Sequence, residues 1–446
     1  MKVLMAAAEL SPLARTGGLG EAVAGLARAL AGRGVELSVA LPRYRGLPTA
    51  PAGPSALPAV GTGVLQQDGY RVLLIDDPES FDREGIYGPG PGTAYRDEWR
   101  RWGRFGAAVA ELAAGMDVLH VHDSHPALAA AASAVPTVVT VHNASLSVVG
   151  PLAEVAADAP AAVGAMQWFG EASFLKGALE WAAAVTTVSP SYARQISGDD
   201  EVSSGLSRNF AALDPPLQGI LNGIDVDAWD PQRDPTLPRR YAWSDLRGKE
   251  KCRAALVDGF GLRGGVVFGM VGRMTPQKGV DLLERGLDYL IDEGFRLVAV
   301  GSGELDPMLE RWAGIHPRAV VHRPYDEELA RLVYAGADAY LMPSRFEPCG
   351  LSQMYAMRYG TPPVVHLTGG LADTVVDAAE EGATGLGFRN ATAGSLVAAV
   401  RRALHMRTAQ PRRWHALQVE GMRRDWSWDK AAAEYVDVYR RAQTAG

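Results

Sequence analysis

Residues 325–366 of the chain read YDEELARLVYAGADAYLMPSRFEPCGLSQMYAMRYGTPPVVH. Two apolar segments in this stretch, Ala339–Met342 and Pro363–His366, have the length of buried strands, and each is followed by a turn and a helical segment. The same alternation extends upstream, where we predict strands at Val266–Val271, Leu297–Val300 and Val320–His322. Strands that alternate with helices are typical of a parallel sheet covered by helices.

The N-terminal half shows the same βαβ rhythm. A helix is predicted from about Glu21, because the apolar residues Val23, Leu26, Ala27 and Leu30 recur on one helical face. Strands are predicted before and after it, at Lys2–Ala7, Val35–Leu41, Val118–Val121 and Thr137–Val141. The fold class predicted for both halves is therefore α/β.

A chain of 446 residues is too long for one ordinary hydrophobic core, so we expect two domains. Residues 225–251 are rich in Asp, Pro, Arg and Trp without a clear hydrophobic period, and we place the linker there. The predicted domains span 1–240 and 241–424, followed by a terminal helix within 425–446. Residues 47–62, rich in Pro, Gly and Ala, are predicted to form a surface loop.

The composition excludes several classes of protein. With 47% hydrophobic and 21% charged residues, and no apolar run near the ~20 residues that span a membrane, we expect a soluble protein without a membrane partner. The net charge of -7 argues against nucleic acid as a partner. Two cysteines, Cys252 and Cys349, make no disulfide framework, so a cytoplasmic location is expected. The sequence leaves the oligomeric state open.

A glycine-rich turn follows the first predicted strand. In Arg15-Thr16-Gly17-Gly18-Leu19-Gly20 the glycines allow backbone N–H groups to approach an anion at the start of a helix, and Arg15 adds a positive charge. The alternative is a glycine-rich loop that only turns the chain.

Two cations stand five residues apart after another predicted strand. Arg273 and Lys278 lie in VGRMTPQKG, residues 271–279, and suit two oxygens of a diphosphate. The chain holds only six lysines against 38 arginines, so a lysine here is informative. A compact ammonium suits a point contact to phosphate. The alternative is a solvated loop with two basic residues.

A carboxylate follows the strand Ala339–Met342. Glu347 lies between an aromatic residue and a proline, where it is well placed to bind sugar hydroxyls, although it could instead cap the next helix. Gly350, Leu351 and Ser352 in the same turn, with Thr368, Gly369 and Gly370 before a later helix, are predicted to contact the same ligand through backbone donors.

Histidines occur in two turns of the N-terminal half, at 120–123 (HVHD) and at His142. His120, His122 and Asp123 superficially suggest a metal site, but no third ligand with zinc-type spacing follows. The pair Asp225 and Asp227 is interpreted as a turn or cap. We therefore predict no metal site and no cofactor.

An ordered series of motifs, RTGGLG, HVHD, VTVHN, GILNGIDVDAWDP, MTPQKGVDLL, the stretch 325–365, TGGLADTV and DWSW, resembles the bacterial glycogen synthases and plant starch synthases over nearly the full chain. The resemblance implies a GT-B fold, in which two Rossmann-like domains face each other across a deep cleft. The first domain would be acceptor-side, the second would bind the nucleotide sugar, and the terminal helix would return to the first. It implies retaining transfer of glucose from ADP- or UDP-glucose without a metal ion.

The resemblance also implies roles for particular residues. Arg273 and Lys278 would hold the diphosphate, and Glu347 would contact the sugar. Tyr325 would stack on the nucleotide base. From the first domain, Arg15 and the Gly17–Gly18 pair would approach the phosphates, and His142 would lie beside the sugar. In the second domain, residues 369–371 would supply backbone donors.

Retention by double displacement requires a nucleophilic carboxylate with an acid partner, and the sequence shows no such pair. A front-face reaction fits better, because the leaving diphosphate, held by two cations, takes the proton of the acceptor.

The sequence departs from the family on the acceptor side. Arg15 stands where the family has a lysine, and Ser124 stands where it has an aromatic residue. The stretch HNASLSVVG lacks the family's Tyr-Gln-Gly, and the glycine-rich tyrosine stretch before the linker is reduced to SSGLS at residues 203–207. The region 44–72 is also shorter than in the family. Three functions stay open on this basis. They are an α-1,4-glucan synthase, a pseudoglycosyltransferase that joins an activated cyclitol or sugar to a small amino sugar, and a non-catalytic nucleotide-sugar sensor.

Overall fold

The computed structural model describes residues 1–49, 61–90, 93–145, 147–158 and 162–445. Contacts divide the chain into two units, which we call unit 1 (Met1–Gly223 with Trp428–Gly446) and unit 2 (Ile224–Ser427). The division after Gly223 falls earlier than the predicted boundary at residue 240. Residues after Ile224 pack on unit 2, since Trp229 stacks on Tyr355 with ring centroids 4.1 Å apart.

The strands of unit 1 are β1 (Lys2–Ala6), β2 (Glu36–Pro42), β3 (Gly61–Gln67), β4 (Tyr70–Asp76), β5 (Val118–His122), β6 (Thr137–Val141), β7 (Val149–Pro151), β8 (Gln167–Trp168), β9 (Glu171–Ser173), β10 (Ala184–Thr187) and β11 (Gln218–Gly219). The main sheet among the described residues has the order β11-β10-β6-β5-β1-β2-β4-β3. Its pairs are parallel except for the β3–β4 hairpin, which is antiparallel. The strands β7, β9 and β8 form a separate antiparallel sheet.

The helices that precede the linker are α1 (Gly18–Gly32), α2 (Pro78–Phe81), α3 (Glu98–Leu112), α4 (Ala129–Ala132), α5 (Leu152–Asp158), α6 (Val163–Met166), α7 (Phe174–Trp181), α8 (Pro190–Ile196) and α9 (Ser207–Ala211). In α1 the predicted apolar face is confirmed, because Val23, Leu26, Ala27 and Leu30 are all buried. The helix begins three residues earlier than predicted, at Gly18. Of the predicted loop 47–62, residues 50–60 lie outside the described residues, and Gly61 and Thr62 belong to β3.

Unit 2 contains α10 (Arg247–Phe260), β12 (Val266–Val271), 3-10 turns at Pro276–Lys278 and Val280–Gly286, α11 (Leu287–Asp292), β13 (Phe295–Val300), α12 (Asp306–Ile315), β14 (Val320–Arg323), α13 (Glu327–Gly336), β15 (Ala339–Met342), α14 (Ser352–Arg358), β16 (Pro363–His366), α15 (Gly369–Thr374), β17 (Leu386–Phe388), α16 (Ala393–Ala409) and α17 (Pro411–Arg423). Its described strands form a parallel sheet in the order β14-β13-β12-β15-β16-β17. The strand order therefore reverses at β12, which has β13 on one side and β15 on the other. In open α/β sheets ligands bind at such a reversal, beyond the carboxyl ends of the strands.

The predicted bounds of β12, β15 and β16 are confirmed, whereas β17 was not predicted. The linker prediction for residues 225–251 is wrong in its last part, because α10 begins at Arg247. Its buried residues Gly248, Lys249, Cys252 and Leu256 include few strongly apolar side chains, so the helical period was hard to detect. Asp225 accepts from the backbone N–H groups of Asp227 and Ala228, as the turn interpretation requires.

The C-terminal helix α18 (Asp429–Ala445) belongs to unit 1. The hydroxyl of Tyr439 lies 2.7 Å from Nδ1 of His120, and the hydroxyl of Tyr435 lies 3.2 Å from Oγ1 of Thr140. These contacts attach α18 to β5 and β6. Within the described ranges, no helix has both the length and the apolar character needed to cross a membrane.

Candidate active site

A largely buried ion pair joins the loops after β12 and β15. Nζ of Lys278 donates to Oε2 of Glu347 at 2.7 Å, and the side chains are 18% and 9% exposed. Gly279, at φ +74°, lets the two loops approach, since a Cβ at this position would lie 2.1 Å from the carbonyl oxygen of Pro343. The structure thus brings together two residues that the sequence singled out 69 positions apart.

The carboxylate of Glu347 does not cap the following helix. It accepts from the hydroxyl of Ser344 at 3.0 Å as well as from Lys278, and α14 begins at Ser352 without a side-chain cap. An ionised carboxylate that is mostly buried needs such partners, because desolvation disfavours its charge. The pair therefore holds a carboxylate at a fixed position at the carboxyl end of the sheet.

Arg273 lies in the loop after β12, as Lys278 does, but its side chain is exposed. Its guanidinium contacts Oε1 of Gln277 at 3.5 Å, and Nε2 of Gln277 donates to the carbonyl oxygen of Phe346 at 3.3 Å. The loop is further fixed by Arg345, which pairs with Asp281 at 2.7 Å. Sequence reasoning missed Gln277, whose two contacts link Arg273 to the loop that carries Glu347.

The predicted turn at Gly350 is confirmed, and its φ of +72° lies in the left-handed region that glycine adopts without strain. Nε2 of Gln353 donates to the carbonyl oxygens of Cys349 and Gly350 at 3.1 and 3.0 Å, and to Oγ1 of Thr374 at 3.2 Å. Leu351 and Ser352 then begin α14. A buried amide that the sequence did not reveal therefore helps to hold this turn.

The second predicted turn, Thr368 to Gly370, lies at the start of α15. The N–H of Gly370 donates to the carbonyl oxygens of Glu347 and Pro348, at 3.0 and 3.1 Å. A Cβ on Gly370 would lie 2.2 Å from the carbonyl oxygen of Cys349, so glycine is needed for this close approach. The phosphate contacts predicted for Thr368, Gly369 and Gly370 stay predictions.

Tyr325 and Gly301 follow the two neighbouring strands, β14 and β13. Tyr325 lies between β14 and α13 with 51% of its surface exposed, and base stacking by its ring stays a prediction. After β13, Gly301 has a φ of +147°, and a Cβ there would lie 1.7 Å from the carbonyl oxygen of Gly272. The Gly-Ser-Gly run at 301–303 was missed, although glycines directly after a predicted strand are a readable signal.

In unit 1, a carboxylate organises the glycine-rich turn before α1. Glu9 accepts from the backbone N–H groups of Thr16 and Gly17 at 2.7 and 3.2 Å, and from the hydroxyl of Tyr87 at 2.6 Å. Arg15 pairs with Glu21 at 2.8 Å. The Gly17 amide thus has a protein acceptor, and α1 begins at the adjacent Gly18. The phosphate contacts predicted for Arg15, Gly17 and Gly18 stay predictions.

His142 follows β6 and is held by the turn after β5. Its backbone N–H donates to Oδ1 of Asp123 at 2.6 Å, and its Nε2 lies 2.9 Å from Nδ1 of His122. Burial lowers the pKa of His142 to about 3 and raises the pKa of Asp123 to about 7. His142 is therefore neutral at neutral pH and presents an imidazole, which can donate and accept one hydrogen bond each.

His120 has a structural environment, since its two ring nitrogens lie against Tyr439 and Thr140, at 2.7 and 2.6 Å. No group of three or more His, Cys, Asp and Glu side chains suited to a metal ion was found among the described residues. The absence of a metal requirement stays a prediction.

Comparison with known proteins identifies the family. The model of the starch synthase catalytic domain matches residues 2–209, and the model of group 1 glycosyl transferases matches residues 265–406. The chain is 38% identical to a glycogen synthase of Paracidovorax citrulli, over 99% of this chain and 95% of that protein. It is 39% identical to a glycogen synthase of Alkalilimnicola ehrlichii, over 99% and 98% of the two chains. The chain belongs to the glycogen and starch synthase family.

Solved structures agree with this assignment. The catalytic domain of Starch Synthase IV from Arabidopsis thaliana, bound to ADP and acarbose, superposes with a TM-score of 0.86 at 29% identity, with 99% of each chain covered. Sucrose-phosphate synthase from Thermosynechococcus elongatus shares the fold, with a TM-score of 0.65 at 19% identity over the full length of both chains. This member of the glycogen and starch synthase family therefore has the GT-B fold and is a retaining glycosyltransferase of the glycogen synthase type. None of these matches supports the pseudoglycosyltransferase alternative.

Proposed function

We propose that this glycosyltransferase moves a glucosyl group from a nucleoside diphosphate glucose to the end of an α-1,4-glucan. The curated relatives are glycogen synthases, and the Arabidopsis structure contains ADP and acarbose, which together favour this donor and acceptor. The observation that carries the proposal is the Lys278–Glu347 pair at the strand reversal of unit 2, with Arg273 on the same loop as Lys278.

The cations of this cluster suit the leaving diphosphate. An ammonium has three N–H donors, and Lys278 donates one to Glu347. Among the described contacts, two of its donors therefore remain for phosphate oxygens. Arg273 has five donors, and within the described part of the chain its guanidinium makes a long hydrogen bond to Gln277. We propose that both stabilise the charge that develops on the diphosphate as the glycosidic bond breaks, which is commonly the largest catalytic contribution.

The proton of the attacking hydroxyl also needs an acceptor. In a front-face reaction the departing diphosphate oxygen takes it, so this mechanism asks for no protein nucleophile. We propose that Glu347 accepts hydrogen bonds from the hydroxyls of the transferred sugar and that neutral His142 contacts the same sugar. Tyr325 is proposed to stack on the base. Since every proposed role belongs to a side chain or to the substrate, we propose that the reaction needs no metal ion and no cofactor. We also propose that the reaction takes place in the cytoplasm.

An exposed aromatic side chain in unit 1 favours a glucan as acceptor. Phe169, in the β8–β9 turn, is 81% exposed and has a φ of +46°, and its ring lies edge-on to Trp168 at 5.0 Å. A Cβ on Gly205 would lie 2.8 Å from this ring, so the glycine makes room for it. Ser124, where the family has an aromatic residue, is buried and accepts from the N–H of Val148 at 2.9 Å. We propose that Phe169 offers a sugar-binding face that Ser124 cannot.

The test is turnover with ADP-glucose, UDP-glucose and GDP-glucose against glycogen, maltodextrins and small amino sugars, with and without EDTA. We expect incorporation into glycogen and maltodextrin that EDTA does not reduce. Transfer to amino sugars alone would refute the glucan acceptor. Tight nucleotide binding without turnover on any acceptor would favour the sensor.

A further inference from the structure

His122, the last residue of β5, contacts His142, which directly follows the adjacent parallel strand β6. Nδ1 of His122 lies 2.9 Å from Nε2 of His142, and the side chain of His122 is fully buried. The strand pairing brings the two rings together, because His122 lies opposite Thr140, two residues before His142. The contact is therefore built into the sheet of unit 1.

One proton lies between the two facing ring nitrogens. Burial, reinforced by the rings of His120 and His142, lowers the pKa of His122 well below 6.5, and burial lowers the pKa of His142 to about 3. Both imidazoles are therefore neutral at neutral pH, and a neutral imidazole carries one N–H and one lone pair. Either Nδ1 of His122 donates to Nε2 of His142, or Nε2 of His142 donates to Nδ1 of His122.

The far nitrogen of the His122 ring distinguishes these two arrangements. Nε2 of His122 is buried and has no hydrogen-bond partner among the residues that the structure describes. If His142 were the donor, the N–H of His122 would lie on Nε2 and would have no acceptor. If His122 donates through Nδ1, the atom without a partner is a lone pair instead. Buried N–H groups without an acceptor are rarer in proteins than acceptors without a donor, so the structure favours His122 as the donor.

The ring of His122 is also held from one face. The ring of His120 lies 4.1 Å from it between centroids, and the nitrogens of His120 lie 2.7 and 2.6 Å from the hydroxyls of Tyr439 and Thr140. His120 thus supports His122 by ring packing, while its own nitrogens are engaged elsewhere. The direction of Nδ1 of His122 is therefore set by β5 together with helix α18, which carries Tyr439.

We propose that His122 is a positioning residue that fixes the tautomer of His142. Because Nε2 of His142 accepts from His122, the proton of the His142 ring lies on Nδ1. Among the described residues, the imidazole of His142 is hydrogen-bonded through Nε2, and the residue is partly exposed, so Nδ1 is available to a ligand. His142 thus presents an N–H donor to an oxygen of the transferred sugar. This role rests on the proposed contact between His142 and that sugar.

Nitrogen NMR of the full chain, with the ring nitrogens of its nine histidines isotope-labelled, measures the tautomer directly. We expect His142 to carry its proton on Nδ1, with its signals assigned by their loss in His142→Ala. A proton on Nε2 of His142 would overturn the proposal. Because no substrate is present, this result is separate from that of the transfer assay, so a wrong tautomer and a wrong reaction are distinguished.

His122→Phe keeps a ring at this position and removes the donor to His142. It is expected to lower kcat/KM for the nucleotide sugar ~3- to 10-fold, which corresponds to one hydrogen bond. His122→Asn retains an N–H donor near the position of Nδ1 and should recover most of that loss. In the His142→Ala background, His122→Phe should change kcat/KM less than ~2-fold, because His122 acts through His142. An effect that persists in that background would show a purely structural role and would rule the proposal out.

His120→Phe is the matched control, because His120 is equally buried on the same strand. The substitution keeps a ring against His122 but removes the contacts with Tyr439 and Thr140. It should lower the unfolding free energy measured in urea, while kcat/KM stays within ~2-fold and the proton of His142 stays on Nδ1. A loss of kcat/KM as large as that of His122→Phe would contradict a specific role of His122.

Discussion

The sharpest prediction concerns Lys278→Ala, which affects turnover and stability for separate reasons. The ammonium is 2.7 Å from Glu347 and both side chains are largely buried, so among the described residues the substitution leaves Ser344 as the remaining side-chain partner of the carboxylate. Breaking a buried pair costs ~3 to 5 kcal/mol, and the residual exposure of Lys278 places the expected loss of unfolding free energy near the lower figure. Removing a donor to the developing charge should lower kcat ~10²- to 10³-fold.

The assay is steady-state turnover with glycogen, together with urea unfolding of the same preparations. Lys278→Ala should lower kcat more than it raises the KM of the nucleotide sugar, because the contact strengthens in the transition state. The double variant Lys278→Ala/Glu347→Gln removes the orphaned charge, so it should recover stability without recovering kcat. A kcat of Lys278→Ala within ~3-fold of the wild-type value would refute the catalytic role of Lys278. An unchanged unfolding free energy would refute the claim that the Lys278–Glu347 pair stabilises the fold.

Three further predictions concern other parts of the chain. Gly279→Ala should lower the unfolding free energy by ~1 to 3 kcal/mol, because a side chain at φ +74° also meets the carbonyl oxygen of Pro343 at 2.1 Å. Gly261→Ala, at φ +62° and with no atom within 4 Å of the added Cβ, is the control. An equal loss of unfolding free energy in both variants would show that the contact with Pro343 adds nothing. Phe169→Ala should raise the KM for maltodextrin ~2- to 10-fold with kcat unchanged, while Phe169→Tyr stays near wild type, and equal KM values would remove Phe169 from the acceptor site. Burial, reinforced by Arg101, lowers the pKa of His125 from 6.5 to about 3, so the unfolded chain binds a proton that the folded chain does not, and stability falls as the pH drops from 6.5 towards 3. His125→Phe should reduce that slope by up to ~1.4 kcal/mol per pH unit, measured by urea unfolding at several pH values, and an unchanged slope would contradict the shift.

The sequence could predict the strands of unit 2 because their signals are local. Short runs of buried apolar residues end at turns, and β12, β15 and β16 have the predicted bounds. The hairpin β3–β4 was not predicted, since Gly61–Gln67 contains two glycines and two glutamines and only β4 has a buried apolar run. Helix α10 was missed for a similar reason, because its buried face includes Gly248 and Lys249.

The candidate site was predictable in part. Lys278 and Glu347 each follow an apolar strand, and the adjacency of β12 and β15 brings these loops together. Glu9 was not predictable, because its importance depends on Thr16, Gly17 and Tyr87, the last of which is 78 positions away in the chain. The support that Gln277 and Gln353 give to the loops likewise depends on side-chain contacts, which no local pattern encodes.

The central claim is that the chain lengthens an α-1,4-glucan with a glucosyl group from a nucleoside diphosphate glucose. The most direct measurement is the NMR spectrum of the product formed from maltotriose and the preferred nucleotide glucose. We expect maltotetraose, with the new glucose joined by an α-1,4 bond at the non-reducing end. A β bond, or no elongation of maltotriose while a small amino sugar is glycosylated, would contradict the account.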